Sequence, residues 1–165
     1  MRWKAWAAVV AVGVMVAALA TSSRPTTFRH GYDLQLPGVA YIQSTTLMGT
    51  DPPVIPCRLN GRWAPCEVDT GNTFGLVMSS SMATNFGIAL GRPESTTSVN
   101  AWVEGYSIST QVTVGDRSVY VQGIAFGGPV HDPLLGIPAL RALAPHYLII
   151  DFTAGHNGSV YFLSH

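Results

Sequence analysis

From Val54 onward the chain is cut into short apolar or alternating runs by glycine-containing turn dipeptides. The first is the sharpest. VIPCRL and RWAPCEV flank Asn60-Gly61, a pair suited to the left-handed residues of a tight hairpin. Gly115-Asp116 separates SISTQVTV from RSVYVQGIAF in the same way, and TAGHNG lies between YLIIDF and SVYFL. Runs this short fill one face of a strand more readily than the stripe of a helix. Two segments depart from the pattern. SSMATNFGI predicts one short helix, with Ser81 as its cap and Gly87 as its stop. PLLGIPALRALAP predicts another, with Pro138 in the first turn, Ala139, Leu140, Leu143 and Ala144 on one face, and Pro145 ending it. The expected class is all-β, a closed barrel with one or two short helices.

The first residues do not belong to that pattern. Arg2 and Lys4 precede an uncharged apolar run from Ala5 to Ala20, and Ala18-Leu19-Ala20 carries the small-x-small pattern of a cleavage site. Residues 1–20 therefore read as an export signal. The run is short for a spanning helix of ~20 residues, and a membrane anchor retained through residues 5–20 stays open beside it. Either way the remainder is exported, to the periplasm or outside the cell. Residues 21–53 read as a linker and first strand, and 54–165 as one domain. The 165 residues are 47% hydrophobic, which suits a single domain with a real core.

Export bears on the two cysteines. Cys57 and Cys66 flank the Asn60-Gly61 turn, and an oxidising compartment favours a disulfide between them. They face each other if the loop has four residues; in a two-residue loop they share a face but sit diagonally. No C-x-x-C is present, so zinc and thioredoxin readings have no footing.

Several chemistries are excluded by what the chain lacks. With Arg2 and Lys4 set aside, seven basic side chains stand against nine acidic ones, a net charge of about −2 without any basic run, so no nucleic-acid partner is expected. There is no G-x-S-x-G, and Ser79-Ser80-Ser81 has no partner signature. Lys4 is the only lysine, which removes a lysine base, a Schiff base and a phosphate-loop lysine from the domain. His30, His131, His146, His156 and His165 are scattered without ligand spacing, so neither a metal nor another cofactor is expected. Carboxylates are what remain.

Most of these have bland readings. Asp116 fits a turn, Asp132 precedes a proline, and Asp51 stands before Pro52-Pro53. Asp69 is different: one apolar strand delivers it, Thr70-Gly71 follows, and a second apolar strand leaves. A tight loop of this kind presents a carboxylate to backbone N–H groups.

At this point the chain resembles the retropepsin-like aspartic proteases, in their small exported or membrane-anchored bacterial form. The resemblance covers roughly Val54 to Leu163. It rests on Val68-Asp69-Thr70-Gly71 after a hairpin, LVMSSSMATNFGI after that, a β-rich middle, and Leu134-Leu135-Gly136-Ile137-Pro138-Ala139-Leu140 before a short helix. It implies a closed acid-protease barrel, active as a homodimer on a polypeptide substrate, without a cofactor. Asp69 would be catalytic. Thr70, Gly71 and Thr73 would support its loop, with Thr70 tying the loops of two copies together, and Leu135-Gly136 would pack against it. No second D-T-G or D-S-G occurs, so the partner carboxylate would come from Asp69 of another copy. Dissociation would then split the dyad and expose the terminal strand SVYFL. A flap would lie within Ser98–Ser107, where Trp102 and Tyr106 are aromatic candidates to cover the cleft. Asn72 stands where alanine or serine is usual. That departure leaves a second reading, a catalytically silent module that binds an extended peptide by strand addition. A third is an unrelated exported barrel in which Asp69 only makes an Asx turn, apart from Gly136.

Overall fold

The computed structural model describes residues 27–30, 32–35, 40–98, 101–152 and 157–164. The leader expected over residues 1–20 lies outside them. The chain divides into two units, the first made of Met1–Ala40 with His165 and the second of Tyr41–Ser164. In the first, β1 (Thr27–His30) and β2 (Tyr32–Gln35) form an antiparallel pair. The second unit starts ahead of Val54 and so takes in β3 (Ala40–Thr46), all but its first residue, and β4 (Gly49–Thr50).

The Asn60-Gly61 turn does what its residues allow. Both have positive φ, 50° and 79°, and they join β5 (Pro53–Leu59) to β6 (Arg62–Val68) by a two-residue loop. That loop fixes the register: Cys57 stands opposite Ala64, and Cys66 opposite Ile55. The cysteines are therefore diagonal neighbours on one face, with Cα atoms 5.9 Å apart, and they are disulfide-bonded. The bridge closes a short loop, so loop-closure entropy gives it about 2–3 kcal/mol. Cys57→Ser/Cys66→Ser should lose that much in denaturant titration, and the untreated chain, unfolded, should show no free thiol. Two reactive thiols per chain would rule the bridge out.

After β6 come β7 (Leu76–Ser79), helix α1 (Ser80–Asn85), β8 (Pro93–Ser98), β9 (Ala101–Val114) and β10 (Arg117–Phe126). Helix α1 is capped by Ser79, not by Ser81 as the sequence predicted: Ser79 has extended backbone, and its hydroxyl accepts from Met82 N at 3.1 Å. Ser81 is already inside the helix. Gly87, at φ 70°, follows the last turn as expected. The chain continues through β11 (Leu134–Leu135), helix α2 (Ile137–Leu143), β12 (Tyr147–Asp151) and β13 (Ser159–Ser164). Helix α2 has a proline in its first turn and buries Ala139, Leu140 and Leu143.

Eight strands lie in the order β4-β5-β6-β11-β7-β10-β9-β8, and β5 also pairs with β9. That pairing, Arg58 with Thr113 and Leu59 with Val112, closes β5, β6, β11, β7, β10 and β9 into a barrel. The period of two makes it possible. On β9, Ile108, Thr110, Val112 and Val114 point inward and are buried, while Ser109 and Gln111 are exposed. Ile55, Leu59, Leu76, Met78 and Leu135 fill the interior, each contributing ~1.5–3 kcal/mol by its burial. The last strand departs from expectation. β13 lies between β12 and β3, with Val160, Phe162 and Leu163 buried inside the protomer. SVYFL is thus covered by its own chain, and dissociation of a dimer does not expose it.

Candidate active site

The loop that carries Asp69 is held by a strand that comes from far along the chain. β11 runs between β6 and β7, parallel to the first and antiparallel to the second. Leu135 stands opposite both Val68 and Leu76, and all three are buried. Asp69 N donates to Leu135 O at 3.0 Å, which extends the β6–β11 ladder by one residue. Glu67 N donates to Pro133 O at 2.9 Å on the other side. Asp69 is thus fixed by its backbone before its side chain does anything.

The side chain is half-buried, and Gly71 N donates to its Oδ1 at 2.9 Å. This is the Asx-type turn of the bland reading, but it uses one oxygen only. Among the described residues Oδ2 has no hydrogen-bond partner. Thr70, Gly71 and Thr73 are exposed, and the hydroxyls of Thr70 and Thr73 find no partner within the described residues.

The residue that the sequence marked only as a departure turns out to latch the loop. Asn72 Oδ1 accepts from Phe74 N at 2.9 Å, its carbonyl accepts from Ile137 N at 2.9 Å, and its N–H donates to Asp69 O at 3.3 Å. Its side-chain nitrogen is buried and has no partner among the described residues. The signal for the turn was present, since asparagine commonly bonds the backbone two residues on. The bond to helix α2 had none. Gly136 completes the contact: its N–H donates to Gly75 O at 3.1 Å, and a Cβ there would lie 1.9 Å from Phe74 O. The Asp69 loop and Gly136 therefore pack together, and the third reading, in which they lie apart, is overturned.

Glu67 lies where it feels the charges of both Asp69 and Asp132, a grouping the sequence did not signal. Burial raises the pKa of Glu67 above its ordinary 4.5, and the charges of Asp69 and Asp132 raise it further. A carboxyl raised in this way binds its proton more tightly folded than unfolded. Its stabilising effect is complete below pH 4.5 and is lost as pH rises through the folded value. Glu67→Gln should therefore be more stable than wild type at pH 7, by ~0.5 kcal/mol for a partly solvated group. The advantage should vanish below pH 4.5 in paired thermal melts.

Beside the loop lies an open cavity of about 970 Å³, with Thr73, Phe74 and Pro138 on one side and Arg92, Glu94 and Ser107 on the other. β8 and β9 pair from Pro93–Tyr106 to Ser98–Ala101, so the paired segment begins at Pro93, ahead of the Ser98–Ser107 stretch expected to hold the flap; Val99 and Asn100 lie outside the described residues. Glu94 pairs with Gly105, so the cavity takes the face of β9 that carries Val103, Gly105 and Ser107. Trp102 and Tyr106 occupy the opposite face, 77% and 42% exposed. They are not on the cavity side, because a strand turns alternate residues to opposite faces.

A solved structure with a similar fold exists. The chain superposes on a retropepsin-like aspartic protease from Rickettsia conorii with a TM-score of 0.57 at 18% identity, over 76% of this chain and 93% of that one. The fold is retropepsin-like. The retroviral protease-like domain of Ddi1 from Leishmania major matches at 18% identity and a TM-score of 0.48, over 71% of this chain and 94% of that one. The EIAV protease complexed with the inhibitor HBY-793 matches at 20% identity and 0.48, over 59% and 92%. No family model and no curated protein matches the chain. Within the retropepsin-like fold, the loop between β6 and β7 and the β11–α2 element are the parts that hold Asp69.

Proposed function

We propose that this chain is an aspartic endopeptidase whose site forms when two copies each contribute Asp69. The observation that carries the reading is the position of Asp69 in a retropepsin-like barrel: its backbone bonds to Leu135, one carboxylate oxygen is held by Gly71, and the other is unclaimed among the described residues. One carboxylate alone cannot serve as both base and acid. Two at close range cannot both ionise cheaply, so they share a proton. The ionised one takes a proton from water while the water oxygen bonds to the peptide carbonyl carbon. The protonated one hydrogen-bonds the developing oxyanion. A proton then passes to the amine as the C–N bond breaks.

The hydroxyl of Thr70, which has no partner among the described residues, supports a bond between the two loops across the dimer axis. The disulfide and the apolar run over residues 5–20 support export, with the segment cleaved or kept as an anchor. The silent peptide-binding reading rested on Asn72. The bonds from Asn72 to Phe74 and Ile137 give that residue a latching role in the loop, which supports the catalytic reading.

Subunit mixing tests the shared site. Wild type and Asp69→Asn chains are combined in equal amounts and left to exchange. Random pairing leaves roughly a quarter of the dimers with two Asp69 residues. Total cleavage should fall to about half of what the wild-type chains contribute alone. A mixture that keeps the full contribution means each chain works by itself, and the dyad is then wrong.

A further inference from the structure

The cavity beside the Asp69 loop does not end at the flap. A second one, of about 380 Å³, shares Ala89, Ser109 and Tyr120 with it and runs on to Asn60 and Gly87 at the β5–β6 turn. The two form one groove. Its floor is the outward face of β9 and β10, where Gln122 stands opposite Ser109 and Tyr120 opposite Gln111. All four side chains are exposed, and none has a hydrogen-bond partner among the described residues. The next pair along, Thr113 and Ser118, is different: its hydroxyls bond each other at 2.7 Å. The polar ladder is thus self-satisfied beyond the groove and open within it.

The wall is the irregular segment that follows α1, and it is pinned at both ends. Asn60 Nδ2 donates to Phe86 O and Gly87 O, at 3.1 and 3.2 Å. Gly91 N donates to Ser107 O at 2.8 Å, and Arg92 N to Ser107 Oγ at 2.9 Å. A wall held at each end keeps the groove open without a ligand, which lowers the ordering cost of filling it.

We infer that this groove, continuous with the Asp69 loop through Thr73 and Phe74, holds the part of a polypeptide substrate remote from the scissile bond, in extended form and through neutral contacts. The inference rests on the proposed function for the direction of the chain, but the binding it describes does not require cleavage. A glutamine amide carries a donor and an acceptor, which match a peptide group. Gln111 and Gln122 present two such groups, and Tyr120, 74% exposed, offers a flat ring for the chain to lie against. Arg92 and Glu94 lie at the flap end, so the stretch from Ser109 to Gln111 carries no charge and selects against none. At ~3.4 Å per residue, an extended chain running beside β9 from Ser107 to Gln111 fills the groove with roughly five residues.

The probes are fluorescein-labelled pools of randomised neutral peptides, of about six and about twelve residues, bound to full-length Asp69→Asn chain and followed by anisotropy. The longer pool should bind about tenfold more tightly, as expected for two additional amide contacts. Tyr120→Ala/Gln122→Ala should remove that gain and leave binding of the short pool unchanged. Equal affinity for the two pools overturns the groove, and so does a gain that survives in the double variant. Cleavage of the same pools by wild type is scored separately. If wild type cleaves nothing while the length-dependent gain is present and lost in the variant, the catalytic reading fails and the groove stands. If wild type cleaves both pools and length brings no affinity, the groove alone fails.

Discussion

Asp69→Asn should remove the proposed cleavage of peptide substrates, by roughly 10³-fold or more, and leave the chain folded. The size follows from the role: an amide can neither accept a proton from water nor share one with a second carboxylate. Its shape is nearly unchanged, and its oxygen can still accept from Gly71 N, so the turn survives. The main loop contact is made by the backbone, from Asp69 N to Leu135 O, and does not depend on the side chain at all. Stability should therefore shift by less than ~0.5–1 kcal/mol. Asp132→Asn and Asp151→Asn serve as controls and should keep activity. The measurement is product formation from a peptide library by mass spectrometry, with a thermal melt of each variant. Near wild-type cleavage by Asp69→Asn would sink the proposed function.

Gly136→Ala unfolds the site, and much of the protein with it. The glycine is not there for its backbone angle, since its φ of −91° suits any residue. It is there because the Asp69 loop passes too close for a side chain. A Cβ would stand 1.9 Å from Phe74 O and 2.6 Å from Asn72 O, and both are backbone atoms that cannot swing aside. The loop would have to lift away, breaking the bonds from Gly136 N to Gly75 O and from Ile137 N to Asn72 O. The expected loss is at least ~3 kcal/mol, beyond ordinary overpacking because main chain is struck on both sides. Gly127→Ala is the matched control, for nothing lies within 4 Å of its Cβ. It should cost less than ~0.5 kcal/mol in the same denaturant titration. If Gly136→Ala melts like Gly127→Ala, the packing of this loop against β11 and α2 is not what holds Asp69.

The barrel and its most important residue could be read along the chain because the signals for them are local. Asn60-Gly61 adopts positive φ wherever it stands, and it set the β5–β6 register that makes the cysteines diagonal. Pro138 and the apolar spacing after it marked α2 for the same reason. Asp69 stood out as a carboxylate between two apolar strands, in a chain whose serines and histidines carry no catalytic spacing. Other features had no local signal. β8, PESTTS, is polar and lacks alternation; it is a strand only because β9 offers it a ladder, and as an edge strand it tolerates its leading proline. Three serines in a row compete for the cap of α1, and the one whose backbone is extended by β7 wins. The face of β9 that Trp102 takes is fixed only by the ladder with β8.

The tightest features of the site belong to this second kind. Asn72 meets Ile137, Glu67 feels the charge of Asp132, and Gly136 is wedged under Phe74, all between segments far apart in sequence. Strand β13 is sealed between β12 and β3, so a terminal apolar run that looked like an interface is core. A turn or a strand face depends on the conformational freedom of a few neighbouring residues, which their identities set directly. Whether a Cβ has room, or a carboxyl a charged neighbour, depends on which strands the closed barrel brings alongside, and that is decided only when β11 enters between β6 and β7.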